Sequence, residues 1–243
     1  MAGTSAGTSP SYSRPGSGFG AALREIVIVV VTALALSALV RAFLVQAFYV
    51  PSGSMEQTLL VNDRIIASKI TTRMTGVERG EVVVFRDPGG WLPEAPPVSG
   101  GREVLRTALT FLGLVPAGSG EDLVKRVIAV GGDRIACCDE QGRILLNGQP
   151  LDESAYLAGG VATDQVAFDV TVPDGHVFVM GDNRGKSLDS RYHLEVAYGG
   201  VPEGSVVGKV VLRMWPFDRF GTVAAPDGDA GSSRREGAAG STA

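Results

Sequence analysis

The chain has 243 residues and a formal net charge of −4, with 44% hydrophobic and 20% charged residues. That length suits one good-sized domain with appendages, and the apolar content excludes a disordered polymer for the middle of the chain. The acidic balance and the lack of any Cys/His finger spacing leave no footprint for nucleic acid.

Residues 1–21 are rich in Gly, Ser, Thr and Pro and read as a flexible tail. Ile26 to Val40 carries no charge. That stretch as a helix covers only about 22 Å, short of the roughly 30 Å hydrocarbon core. Apolar character resumes past Arg41, however, in AFLV and AFYV. A helix over 22–48 spans a bilayer, with Arg41 snorkelling toward one headgroup layer. Arg14 and Arg24, partly offset by Glu25, precede it. The positive-inside rule then places the N-terminus in the cytoplasm and the bulk of the chain outside. A cleavable signal peptide is the competing reading, because Val45-Gln46-Ala47 fits the small-residue rule for a cleavage site. The length of the apolar stretch and the interrupting Arg41 favour an anchor.

Beyond the span, over 49–221, the signals are β: NDRIIASKI, EVVVFR, LVKRVIAV, RIACC, RILLNG, HVFVM and SVVGKVVLRMW. Asn147-Gly148 between apolar residues is a hairpin signal. Residues 88–121 are rich in Gly, Pro and small side chains, with a short helical pattern around Val104–Leu114, and read as an insertion or surface loop. Residues 222–243 read as a disordered tail. Cys137 and Cys138 are adjacent, and neighbours on a strand point to opposite faces. A vicinal disulfide, an intermolecular bridge and two free thiols all stay open, with two small space-filling residues the favoured reading.

Familiar hydrolytic machinery is mostly missing, although residue counts alone allow a Ser/His/Asp triad. His176 and His193 are the only histidines, neither in a metal-ligand spacing, and there is no G-x-S-x-G elbow. Three other segments carry chemical potential. Pro51-Ser52-Gly53-Ser54 is a turn that exposes a hydroxyl beside backbone N–H groups, as a nucleophile with an oxyanion hole requires; its plain alternative is a linker turn. Only four lysines occur, Lys69, Lys125, Lys186 and Lys209, and arginine cannot serve as a base. Of the four, Lys125 has the best context for a base, inside an apolar β run where it shares a face with Leu123, Val127 and Ala129. Burial there lowers its pKa from about 10.4 toward the two-to-three-unit drop that a base at neutral pH needs; the alternative is an edge lysine reaching solvent. The third segment, Gly181 to Arg191, is dense in Asp, Asn, Ser and Arg and suits either a buried polar network or a solvated loop.

Taken in order, the N-terminal span, Pro51-Ser52-Gly53-Ser54-Met55, Arg79 to Phe85, Val124-Lys125-Arg126-Val127 and Gly181-Asp182-Asn183-Arg184 through Arg191 resemble the bacterial type I signal peptidases. The resemblance implies an all-β catalytic domain of coiled antiparallel sheets behind a single N-terminal transmembrane helix. It implies Ser54 as nucleophile, Lys125 as general base, and Ser52 with the Ser54 amide as the oxyanion hole. Ser187 matches a serine that hydrogen-bonds the lysine. Asp189 and Arg191 match a structural ion pair, and Asp182 and Arg184 sit in the same supporting loop. Lys186, if turned inward, lowers the base's pKa further. No cofactor or metal is implied; the implied partners are signal peptides of preproteins and the lipid bilayer. A self-cleaving repressor-type Ser/Lys protease is disfavoured because an apolar span stands where a DNA-binding module belongs. The rival from another class is a membrane-tethered binding protein in which Ser54 and Lys125 are structural.

Overall fold

The computed structural model describes residues 19–92, 122–157, 166–223 and 225. Helix α1 runs Phe19–Phe43. Its Gly20–Val40 stretch has a mean hydropathy of 2.3 and is not buried against the rest of the chain. Those 21 residues are long enough, at roughly 31 Å, to cross a bilayer.

The strands that follow are β1 Val45–Tyr49, β2 Arg64–Ser68, β3 Val82–Arg86, β4 Asp122–Val130, β5 Arg134–Cys137 and β6 Leu145–Leu146. They continue with β7 Gln149–Pro150, β8 Phe168–Thr171, β9 His176–Met180, β10 Val201–Pro202, β11 Val206–Trp215 and β12 Gly221–Thr222. The larger sheet has the order β1-β2-β11-β3-β4-β9-β10, with β12 on β11; the smaller is β7-β6-β5-β8. Every strand pairing among the described residues is antiparallel. The expected all-β architecture behind an apolar helix is therefore what the chain adopts.

Three apolar clusters hold it. Phe48, Met55, Leu59, Ile65 and Val210 pack beneath β1, β2 and β11. Ile135, Phe168, Phe178 and Met180 join the small sheet to β9. Val83, Phe85, Val127, Val177 and Val179 form the third cluster. Strand β9 thus sends Val177 and Val179 into one cluster and Phe178 and Met180 into another, which explains the apolar run that follows His176.

Several expectations need correction. The helix does not run on to Phe48: it ends at Phe43, and Val45–Tyr49 pairs residue for residue with β2. Five strand rungs and the burial of Phe48 outweigh helical continuation for these aromatic and β-branched residues. Strand β2 stops at Ser68, whose hydroxyl accepts the Thr71 amide and caps the short helix α2, Lys69–Thr75. The C-terminal boundary moves outward slightly, because β12 pairs with β11 and Val223 is buried in the first cluster. Cys137 and Cys138 form a vicinal disulfide rather than two separate space-fillers. Strand β5 ends at Cys137, so the alternation that points strand neighbours apart does not extend to Cys138. Asn147-Gly148 does turn the β6–β7 hairpin, both with positive φ. The helical pattern at Val104–Leu114, most of the 88–121 insertion and both expected tails lie outside the described residues, apart from the tail residues in α1 and β12, Val223 and Ala225.

Candidate active site

The chain leaves β1 through Val50, which is fixed by its amide to the Asp63 carbonyl and its carbonyl to the Asn62 amide, both at 2.9 Å. Ser52 is extended, and Gly53–Met55 closes into a single 3-10 turn. Burial of Met55 in the first cluster pins that turn and draws Ser54 inward with it. The Ser52 hydroxyl donates to Ser54 Oγ across a long 3.4 Å.

Lys125 stands opposite Val83 in the β3–β4 ladder. Alternation does place it with Leu123 and Val127, both at the third cluster. A register shift between Val127 and Ala129 sends Ala129 to the second cluster instead. Lys125 Nζ lies 2.6 Å from Ser54 Oγ, with the two residues only 3% and 6% exposed. Burial is the chief influence on its pKa, bringing it down from 10.5 to about 8. Asp189 and Asp182 act in the opposite direction, and Arg191 adds to the lowering. A lowered pKa leaves a usable neutral fraction of the amine near physiological pH, and in that form an amine held against a hydroxyl can take its proton.

Buried ion pairs surround this contact. Asp182 accepts from Arg126 Nε at 2.8 Å and Nη2 at 2.7 Å, and also receives the Thr58 hydroxyl. Arg126 lies over the Tyr156 ring at 4.3 Å. Arg184 pairs with Glu153 and donates Nε to the Gly181 carbonyl at 3.0 Å. Asp189 pairs with Arg191 and accepts the Gly181 amide at 2.9 Å. With both backbone groups of Gly181 held, the loop passes so close to Ser54 that a Cβ there would lie 2.5 Å from the Ser54 carbonyl oxygen.

Ser52, Ser54, Lys125, Asp182, Arg184, Ser187, Asp189 and Arg191 all belong to this site or its supporting loop. Two details differ from expectation. Ser187 is buried against Gly181, but its hydroxyl has no hydrogen-bond partner among the described residues; Lys125 donates to Ser54 instead. Lys186 turns outward to Glu56 at 3.4 Å, so Arg191 is the cation that bears on Lys125. His193 stacks on Trp91 and His176 bonds the Asp174 carbonyl, so neither partners Ser54. Sequence reasoning missed Arg126, Thr58, Glu153 and Tyr156. Arg126, a second cation inside an apolar strand, was the one with a local signal.

Comparison with known proteins identifies the family. Residues 23–215 match the family described as signal peptidase, peptidase S26. The chain is 38% identical to a probable signal peptidase I of Mycobacterium leprae, over 83% of this chain and 79% of that protein. It is 37% identical to the signal peptidase I of Mycobacterium tuberculosis, over 83% of this chain and 75% of that protein. A solved signal peptidase I from Enterococcus faecalis aligns over 55% of this chain and 95% of its own, at 24% identity and a TM-score of 0.35. With a match running from the apolar helix to the end of β11, the chain belongs to the signal peptidase family, peptidase S26, whose members are serine peptidases that hydrolyse peptide bonds.

Proposed function

We propose that this chain is a membrane-anchored endopeptidase that removes signal peptides from exported preproteins, cutting after a small-x-small, Ala-x-Ala-like end with Ser54 as nucleophile and Lys125 as general base. The observation that carries the reading is the 2.6 Å contact between Lys125 Nζ and Ser54 Oγ in a desolvated setting. With a pKa of about 8, roughly a quarter of Lys125 is neutral near pH 7.5, against about one in a thousand at the ordinary value.

Neutral Lys125 takes the Ser54 proton as Oγ attacks the substrate carbonyl. The Ser54 amide and the Ser52 hydroxyl hold the oxyanion. Collapse of the tetrahedral intermediate expels the amine of the mature protein, which receives its proton from the Lys125 ammonium. Water, deprotonated by Lys125, then attacks the acyl ester and releases the signal peptide with Ser54 restored. Asp182, Arg184, Asp189 and Arg191 keep the loop against Ser54, and Ser187 packs on Gly181 within that loop.

Helix α1 crosses the plasma membrane once, with the N-terminus cytoplasmic and the β domain outside. Ser54 follows the helix end at Phe43 by one strand and one turn, which keeps it near the membrane surface. Signal peptides are held in the same thin zone, so the anchor raises the effective concentration of substrate.

The test is cleavage of a purified preprotein in detergent by wild type, Ser54→Ala and Lys125→Arg. Lys125→Arg keeps the charge and removes the neutral base. Both variants should be folded and inactive. Normal cleavage by Lys125→Arg rules out Lys125 as base, and a folded wild type that cuts nothing favours a tethered binding protein.

A further inference from the structure

The segment after the nucleophile is stitched to the Asp182-Asn183 dipeptide at every second residue. The Ser54 carbonyl accepts the Asn183 amide at 3.0 Å. The Glu56 carboxylate accepts Asn183 Nδ2 at 2.8 Å. The Thr58 hydroxyl donates to Asp182. Between the last two lies Gln57, at a φ of 100°, a backbone region that residues with side chains avoid. Such a conformation persists only when its surroundings over-determine it, and the bonds on either side supply that constraint. Glu56 also folds back over Gly53, where a Cβ would lie 2.6 Å from the Glu56 carboxylate. Its carboxylate therefore touches both ends of the frame that holds Ser54: the residue before it and the loop that binds its carbonyl.

We propose that Glu56 is a positioning residue for the nucleophile, acting through its hydrogen bond to Asn183 to hold the Gly53–Met55 turn at the distance Lys125 requires. The inference rests on the Ser54/Lys125 reading above. It assigns the role to the hydrogen bond and not to charge, because the ionic partner of Glu56, Lys186, is 70% exposed and sits at 3.4 Å. A turn released on one side keeps its hydroxyl but samples more positions, so the rate of the chemical step falls while substrate binding does not.

The experiment measures kcat, KM and thermal unfolding for the full chain in detergent, using a preprotein and the variants Glu56→Ala, Glu56→Gln, Asn183→Ala and the Ala/Ala double variant. Glu56→Ala is expected to lower kcat about tenfold with KM within about twofold. Glu56→Gln keeps an acceptor for Asn183 Nδ2 and should restore kcat to within about twofold of wild type. The double variant should lose no more than the worse single variant, since one bond is removed either way. Unchanged kcat in Glu56→Ala overturns the proposal, as does a Gln variant as impaired as Ala, which points to charge. Loss of the fold in Glu56→Ala also overturns it, because Glu56 then supports the domain and not the turn. Ser54→Ala measured alongside separates the two readings: residual cleavage there removes the dyad itself, whereas an inactive Ser54→Ala beside a fully active Glu56→Ala removes only the role of Glu56.

Discussion

Arg126 grips Asp182 with two parallel hydrogen bonds, and both side chains are almost wholly removed from solvent, at 2% and 1% exposure. Arg126 is the residue after Lys125, and Asp182 is the residue after Gly181, so the pair fastens the strand carrying the lysine to the loop packed on Ser54. The same guanidinium donates to the Gly80 carbonyl at 2.7 Å and to the Thr58 hydroxyl at 3.1 Å, which leaves its donors well used.

Replacing Arg126 by Met leaves Asp182 buried without its cation. The expected cost is about 3–5 kcal/mol of unfolding free energy, read as a lower denaturant midpoint, with activity falling in parallel. Arg126→Lys retains charge but cannot form the fork, and should land between the two. An unchanged midpoint for Arg126→Met would show that the pair contributes no net stability.

Lys125 sets the pH behaviour. Cleavage needs its neutral form, so kcat/KM should rise with pH through about 8 and level off above it. Stability follows the same group. Its folded pKa lies below the unfolded value, so the unfolded chain binds more protons between about pH 8 and 10.5. Its unfavourable contribution is therefore fully present below pH 8 and is relieved as pH climbs through that window. Lys125→Met should be inactive yet more stable at pH 7, by about 3 kcal/mol at most. An acid limb that stays near pH 8 in a variant lacking Lys125 would assign the titration to another group.

Gly181 tolerates no side chain. A methyl group there meets the Ser54 carbonyl, the Ser187 side chain and their surroundings at once, and its two backbone groups are fixed by Asp189 and Arg184. Gly181→Ala should lose about 1–3 kcal/mol of stability and depress kcat more than KM, as measured by denaturation and steady-state kinetics together. Wild-type kinetics in a folded Gly181→Ala would mean that the loop can withdraw from Ser54 without consequence.

The signals that survived from sequence were local ones. An uncharged run reads as a helix because burial of backbone polar groups leaves few alternatives, Asn147-Gly148 reads as a turn because of its φ requirements, and the rarity of lysine in an apolar strand singled out Lys125. Ordered motifs added the candidate site residues; Ser52 and Lys125 reach the Ser54 hydroxyl, while the others lie in the loop whose Gly181 packs on Ser54. Decisions that depend on distant partners were not legible. Whether Val45–Tyr49 prolonged the helix or became β1 was settled by five rungs to β2. Which acid each arginine meets was settled by loop packing: Arg126 with Asp182, Arg184 with Glu153, Arg191 with Asp189. Lys186 faces solvent and Arg191 bears on the lysine for the same reason. Sequence spacing fixes which face of a strand a side chain occupies, whereas its electrostatic partner is set by elements folded against that face from tens of residues away.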